Sequence, residues 1–209
     1  MADSFIQLPT EGSGKMMDAE QLTIGNQTVY RQRAQAYFTQ TLSTSFSRPN
    51  DATPYTAGDV ATNSTSAPVL MTFDGAARYA GGGGIITAAQ FTTSANPTTK
   101  GAFELWLFAG SAAPTADNDN AVFTPTDSEL NNLVGIVAFS TGNAYVGDAA
   151  TSSGGNVAYL GTYAAYAPIA LPFKCSTTND ELFGAVVVRN AYTPAGGETF
   201  RATLQIKQE

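Results

Sequence analysis

Two hundred and nine residues with 43% hydrophobic and 11% aromatic content suffice for one domain with a sizeable core, which excludes a disordered chain. With no histidine and one cysteine, the chain has no His-based triad, His-ligated metal site, intrachain disulfide or CxxC redox motif. Ten Lys+Arg against seventeen Asp+Glu give a net charge of -7, which repels phosphate backbones, so direct nucleic-acid binding is not expected.

Charged residues make up only 13% of the chain, against 33 Ala and 27 Thr. The surface is therefore largely neutral, as suits either a protein pressed against other subunits or a soluble β-domain of biased composition. The N-terminus carries Asp3 where a secretory signal has basic residues, and no apolar stretch of signal length follows. The expectation is a chain made and kept in the cytoplasm, or released by lysis. The longest weakly polar run, Tyr163 to Phe173, is interrupted by Pro168 and Pro172 and falls short of the roughly 18 residues that span a bilayer, so no membrane association is expected.

Residues 1–40 read as an N-terminal arm or opening hairpin. They hold an apolar patch of Phe5, Ile6 and Leu8, a flexible turn at Glu11-Gly-Ser-Gly14, Met16 and Met17, and the run from Thr28 to Phe38. Gly12-Ser-Gly-Lys15 lacks the GxxxxGK[ST] spacing of a phosphate loop and has Met16 in place of the hydroxyl residue, so it reads as a turn. Arg31 and Arg33 fall on one face of an extended strand, opposite Tyr30 and Gln32, where they suit either an acidic neighbouring subunit or solvent.

From residue 41 to 209 the texture is uniform. Short aromatic and β-branched segments are separated by Gly, Pro, Asn and Asp, the pattern of an all-β sandwich or barrel. Expected strands are Val69 to Phe73, Ile85 to Thr92, Phe103 to Phe108, Val134 to Ser140, Val157 to Tyr163, Leu182 to Asn190 and Thr199 to Lys207. The last alternates, with Phe200, Ala202, Leu204 and Ile206 on one face and Arg201, Thr203, Gln205 and Lys207 on the other. Ala102 to Ala109 and Gly184 to Val188 are apolar on both faces, which suits central strands covered on two sides. One short connecting helix is expected at Thr126 to Leu133, with Thr126 as N-cap and Glu129 closing a capping box. Gly81 to Gly84 reads as a connection between strands.

Candidates for chemistry are few. Asp117-Asn-Asp-Asn120 offers hard oxygen ligands of the kind calcium takes, without the DxDxDG spacing; Asx-rich turns bond their own backbone equally well. Any two of Asp74, Glu104, Asp148 and Glu181 would serve glycoside hydrolysis if the fold brought them together, though their spacing does not favour it. Tyr145, Tyr159, Tyr163 and Tyr166 suit either a sugar-binding platform or ordinary edge packing. Cys175 reads as a buried or half-buried structural thiol, since no imidazole is present to activate it. No catalytic residue, metal site or cofactor is assigned.

Two phrases stand apart. Ser45-Phe-Ser-Arg-Pro-Asn-Asp-Ala-Thr-Pro-Tyr-Thr-Ala-Gly-Asp-Val60 resembles the start of a β-domain in tailed-bacteriophage virion proteins. Leu105-Trp-Leu-Phe108, followed by Ala113-Pro-Thr-Ala-Asp-Asn118, Phe123 and Leu133-Val-Gly-Ile-Val-Ala-Phe139, is similar to the same group, where a strand, an Asp-Asn loop, a short helix and another strand follow in order. The resemblance covers roughly residues 41 to 140, and Phe5 to Lys15 and Asn26 to Arg33 resemble leaders of phage structural proteins.

This resemblance implies a virion component, a capsid decoration (cement) protein with a jelly-roll-like β-sandwich, often trimeric at local threefold positions. It carries no catalytic residues. The implied partner is the major capsid protein and the implied location the capsid surface, after synthesis in the host cytoplasm. On this reading residues 1–40 are an extension that adds a strand or wedge to an adjacent chain, with Phe5, Ile6 and Leu8 as anchors and Arg31 and Arg33 as further subunit contacts; the alternative for Phe5, Ile6 and Leu8 is that they complete the sheet of their own domain. The alternative is a tail- or fibre-associated structural or carbohydrate-binding module.

Overall fold

In a computed structural model of the chain, the structure describes residues 19–24, 27–32, 38–95, 97, 99–141, 144–146, 157–160 and 169–209. The chain forms two compact units, Met1–Ala36 and Tyr37–Glu209. In the first, β1 (Ala19–Ile24) and β2 (Gln27–Gln32) make an antiparallel hairpin in which Ile24 pairs with Gln27 and Glu20 with Arg31.

The second unit is an all-β sandwich. Its strands are β3 (Phe38–Ser47), β4 (Val60–Ala61), β5 (Met71–Phe73), β6 (Gly83–Thr93), β7 (Phe103–Phe108), β8 (Leu133–Phe139), β9 (Ala144–Val146), β10 (Val157–Leu160), β11 (Leu171–Lys174), β12 (Leu182–Val188) and β13 (Thr199–Gln208), with helix α1 (Asp127–Leu130) between β7 and β8. One sheet runs β3-β13-β6-β10-β9 with β11 also on β6, and the other β4-β12-β7-β8 with β5 also on β12. All pairings are antiparallel.

Strands β4 and β5 pair with successive stretches of β12, and β10 and β11 with successive stretches of β6, so each couple is one strand position broken in the middle. With those couples merged, the chain crosses between layers in the order of the two Greek keys of a jelly roll.

Alternation explains which faces close. In β13, Phe200, Ala202, Leu204 and Ile206 are all buried, as their period of two requires. They meet Leu105, Leu107, Val137, Val186 and Val188 of the opposite sheet in one core cluster. Phe91 of β6 sits at the centre of that cluster, with ring centroids 4.9 Å from Phe103, 5.4 Å from Phe139 and 5.6 Å from Phe200. Burying a phenyl ring contributes roughly 1.5–3 kcal/mol, so this aromatic stack is a main tie between the layers.

The doubly apolar runs behave as expected. Every residue of β12 is buried, and β7 lies between β12 and β8. Their outer face is covered by a second cluster of Phe108, Phe183 and Ala185, closed over by Leu70, Trp106, Phe123 and Leu133. Phe123 comes from the long β7–β8 connection and meets Trp106 edge-on at 5.4 Å.

Helix α1 has the expected capping box. Glu129 N–H donates to Thr126 Oγ1 at 3.3 Å, and Thr126 N–H donates to Glu129 Oε2 at 2.7 Å. The helix ends at Leu130, sooner than expected, because Leu133 already begins β8.

Three strand boundaries also differ. Val69 and Leu70 lie outside β5, and the Val69 N–H donates to Asn63 Oδ1 at 2.8 Å instead of joining the ladder. Strand β12 stops at Val188, and Asn190 instead clamps the β6–β7 connection, accepting from Ala102 N–H at 2.6 Å and donating to Lys100 O at 3.0 Å. Gly83 and Gly84 belong to β6 and are not a connection. A Cβ on Gly83 would lie 2.6 Å from Phe173 O, and one on Gly84 2.6 Å from Lys207 O. The absent side chains let β6 lie tightly between β11 and β13.

Candidate functional site

The densest polar arrangement in the sandwich forms where the connection from β3 to β4 crosses between the sheets. Pro49 and Pro54 hold this stretch out of regular structure, and Arg48, at its start, turns inward to 3% exposure. Arg48 Nε donates to Tyr55 Oη at 3.0 Å, and its Nη2 donates to Asp119 Oδ2 at 3.0 Å and Asp51 Oδ1 at 3.1 Å. Its Nη1 donates to the Asp51 carbonyl. Tyr55 Oη donates to Asp119 Oδ1 at 2.6 Å, and Thr62 N–H donates to the same oxygen at 2.9 Å.

A second buried pair adjoins the first. Tyr192 Oη donates to Glu198 Oε1 at 2.6 Å, and Ala195 N–H donates to Glu198 Oε2 at 3.0 Å. The rings of Tyr55 and Tyr192 stack at 6.3 Å, and the two residues exchange backbone hydrogen bonds. Three connections are thus welded together: residues 48–60, the Asp117–Asn120 loop, and the turn before β13.

The electrostatics are those of a closed clamp. Burial pulls the Arg48 guanidinium down, but its interaction with Tyr55, the charge of Asp119 and the hydrogen bond to Asp51 outweigh burial and leave it above its ordinary value. Burial and the bond to Asp119 push the Tyr55 phenol up. Glu198 is also raised, by burial, against the opposing bonds from Tyr192 and Ala195. The polar atoms of these groups are committed to neighbours in the chain.

The Asp117–Asn120 loop is part of that clamp. Besides Asp119, the Asp117 carboxylate accepts from Thr124 N–H at 2.8 Å and Thr124 Oγ1 at 3.2 Å. Both carboxylates therefore face N–H and O–H donors, which compete directly with a cation, and the loop is the self-bonded Asx turn. Asn120 takes φ 64°, a conformation asparagine tolerates. Among the described residues no group of three or more His, Cys, Asp or Glu side chains is placed to hold a metal ion.

The carboxylates considered for hydrolysis do not converge on one site. Asp74 and Glu181 flank the register pair Phe73↔Leu182, whereas Glu104 pairs with Val187, roughly 16 Å further along β12 at about 3.3 Å per residue. Glu104 is bound to Arg189 at 3.2 Å and accepts from Trp106 Nε1 at 2.9 Å. Asp148 lies outside the described residues.

Cys175 is buried, its Sγ donates to Glu181 O at 3.4 Å, and burial together with Asp180 and Glu181 raises its thiol to about 11. At neutral pH it is a thiol and not a thiolate. Tyr145 stands in β9 opposite Ala158 and Tyr159 in β10 opposite Ala144, while Tyr163 and Tyr166 lie outside the described residues.

Of the expected subunit contacts, Arg31 is in β2, at the register position of Glu20. Phe5, Ile6, Leu8 and Arg33 lie outside the described residues, as does Gly12 to Lys15. No helix among the described residues is long and apolar enough to cross a membrane.

Sequence reading did not single out Arg48, Tyr55 or Glu198 as a buried cluster. The two phrases quoted above contain Arg48, Tyr55 and, just after Asn118, Asp119, but nothing local links positions 71 residues apart. No protein-family model matches the sequence, and neither does any curated protein.

Proposed function

We propose that the chain is a non-enzymatic structural protein of a bacteriophage virion that decorates and stabilises the capsid by bridging neighbouring capsomers. The major capsid protein is its partner, and like copies join it in a closed ring, for which threefold symmetry is the expectation. The observation that carries this reading is the division of the chain into a jelly-roll body and a separately compact N-terminal unit containing a hairpin. Such a pairing of parts suits a protein that seats on one neighbour and reaches to the next.

Two further features support it. The first phrase that resembles phage virion proteins supplies Arg48 and Tyr55, and their shared partner Asp119 directly follows Asn118 of the second, so the two phrases meet at one place in the fold. The polar cluster they build is fully engaged within the chain, as in a body whose role is rigidity.

The test is co-sedimentation with purified empty shells. The full chain is expected to pellet with shells, while residues 37–209 stay in the supernatant with an unchanged β-type circular dichroism spectrum. Equal pelleting of both would overturn the role given to the N-terminal unit, and pelleting of neither would overturn the decoration role.

A further inference from the structure

Strand β3 forms the outer edge of its sheet. It pairs with β13 through ten consecutive register pairs with no bulge, and among the described residues its other edge has no partner. Over ten residues it contains no charged side chain and no proline. Exposed edges are normally blunted by such residues, by bulges or by brevity, because free N–H and C=O groups recruit another strand. None of these devices is present here.

The side chains say which strand is recruited. Phe38-Thr-Gln-Thr-Leu42-Ser-Thr-Ser-Phe46 is a chemical palindrome about Leu42: Phe38 mirrors Phe46, Thr39 mirrors Ser45, Gln40 is set against Thr44, and Thr41 mirrors Ser43. A twofold contact demands this self-complementarity, since residue i meets j while j meets i. The inward-facing members are incompletely covered: Phe38 is 58% exposed, and Leu42 and Phe46 are only partly buried against the core. A neutral strand is also where two copies of a chain with net charge -7 approach with least repulsion.

We infer that β3 pairs antiparallel with β3 of a second copy across a twofold axis at Leu42. Phe38 of each copy then lies opposite Phe46 of the other, Leu42 opposite Leu42, and Thr41 opposite Ser43, joining two sheets into one continuous layer. This contact rests on the strand alone and not on the phage reading. Being twofold, it is distinct from any threefold ring.

Sedimentation equilibrium of the full chain tests it, using a Thr41→Lys/Ser43→Lys variant and a Thr41→Glu/Ser43→Glu variant. Both positions are exposed, and the contact sets position 41 against position 43 of the partner, so each variant places like charges in opposition. The wild type is expected to sediment as an even number of chains, and each variant as half that number with an unchanged circular dichroism spectrum. An equimolar mixture of the two variants is expected to restore the wild-type mass. An odd number of chains in the wild type, a mass the lysines leave unchanged, or a mixture that does not reassociate overturns the proposal.

Discussion

Arg48 and Asp119 stand 71 residues apart in sequence and 3.0 Å apart in space, their side chains 0% and 1% exposed. The pair joins the β3–β4 crossover to the loop between β7 and α1, and so ties the first third of the sandwich to its middle. Removing Asp119 leaves the buried Arg48 with only the part-exposed Asp51 as a counter-charge, and breaking a buried pair typically costs about 3–5 kcal/mol. Asp119→Ala is therefore expected to lower the urea unfolding free energy by about that amount. Asp117→Ala, whose bonds to Thr124 are solvent-exposed, should cost only about 1 kcal/mol. Equal losses for the two would show that the clamp does not hold the fold.

Phe91 is the second test of how the layers are held. Its ring is fully buried between the sheets, and Phe91→Ala should cost about 3–5 kcal/mol through lost transfer energy and the cavity left behind. Phe123→Ala, which removes a partly buried cover from the outer face, should cost less. Denaturant midpoints for the two variants, compared at equal slope, distinguish central from peripheral packing.

Close backbone approach at Gly84 gives a third prediction. A Cβ there would lie 2.6 Å from Lys207 O, a backbone atom that can move only with β13. Gly84→Ala is expected to destabilise by about 1–3 kcal/mol, as overpacking does. A thermal midpoint equal to wild type would mean that β6 and β13 separate there at no cost.

The capping box makes a prediction about acid. N–H groups of Thr115 and Thr126 hold the Glu129 carboxyl at about 2, below its ordinary 4.5. A depressed carboxyl stabilises the fold above its unfolded value, and that contribution is lost as pH falls. The stability difference between wild type and Glu129→Gln should be constant above pH 4.5 and shrink as pH falls toward about 2. Glu198 runs the other way: its raised value means that ionisation disfavours the folded state, so its contribution is best below pH 4.5 and declines as pH rises through its folded value. Chemical melts across this range, repeated with Glu198→Gln, separate the two trends.

Strong alternation or doubly apolar runs made β6, β7, β8, β12 and β13 legible in the sequence, because burial on one or both faces forces a recognisable pattern. The capping box at Thr126 and Glu129 was legible because its partners are three residues apart. Strand β3 was not read as a strand, since an edge strand half open to water tolerates Thr and Ser where a central strand carries Val or Ile. Strand β11 was hidden by Pro172, which an edge position accepts because it leaves no central ladder bond unmade. The Arg48–Asp119 clamp was invisible for a different reason: its geometry exists only after two connections from different parts of the chain meet.

The most direct measurement of the central claim is an electron-microscopic reconstruction of mature particles made from the genome that encodes this chain. The account predicts density fitting the jelly roll of residues 37–209 on the outer surface of the head, with residues 1–36 reaching an adjacent capsomer. Heads without that density, in a lysate where the chain is abundant and free, would contradict it.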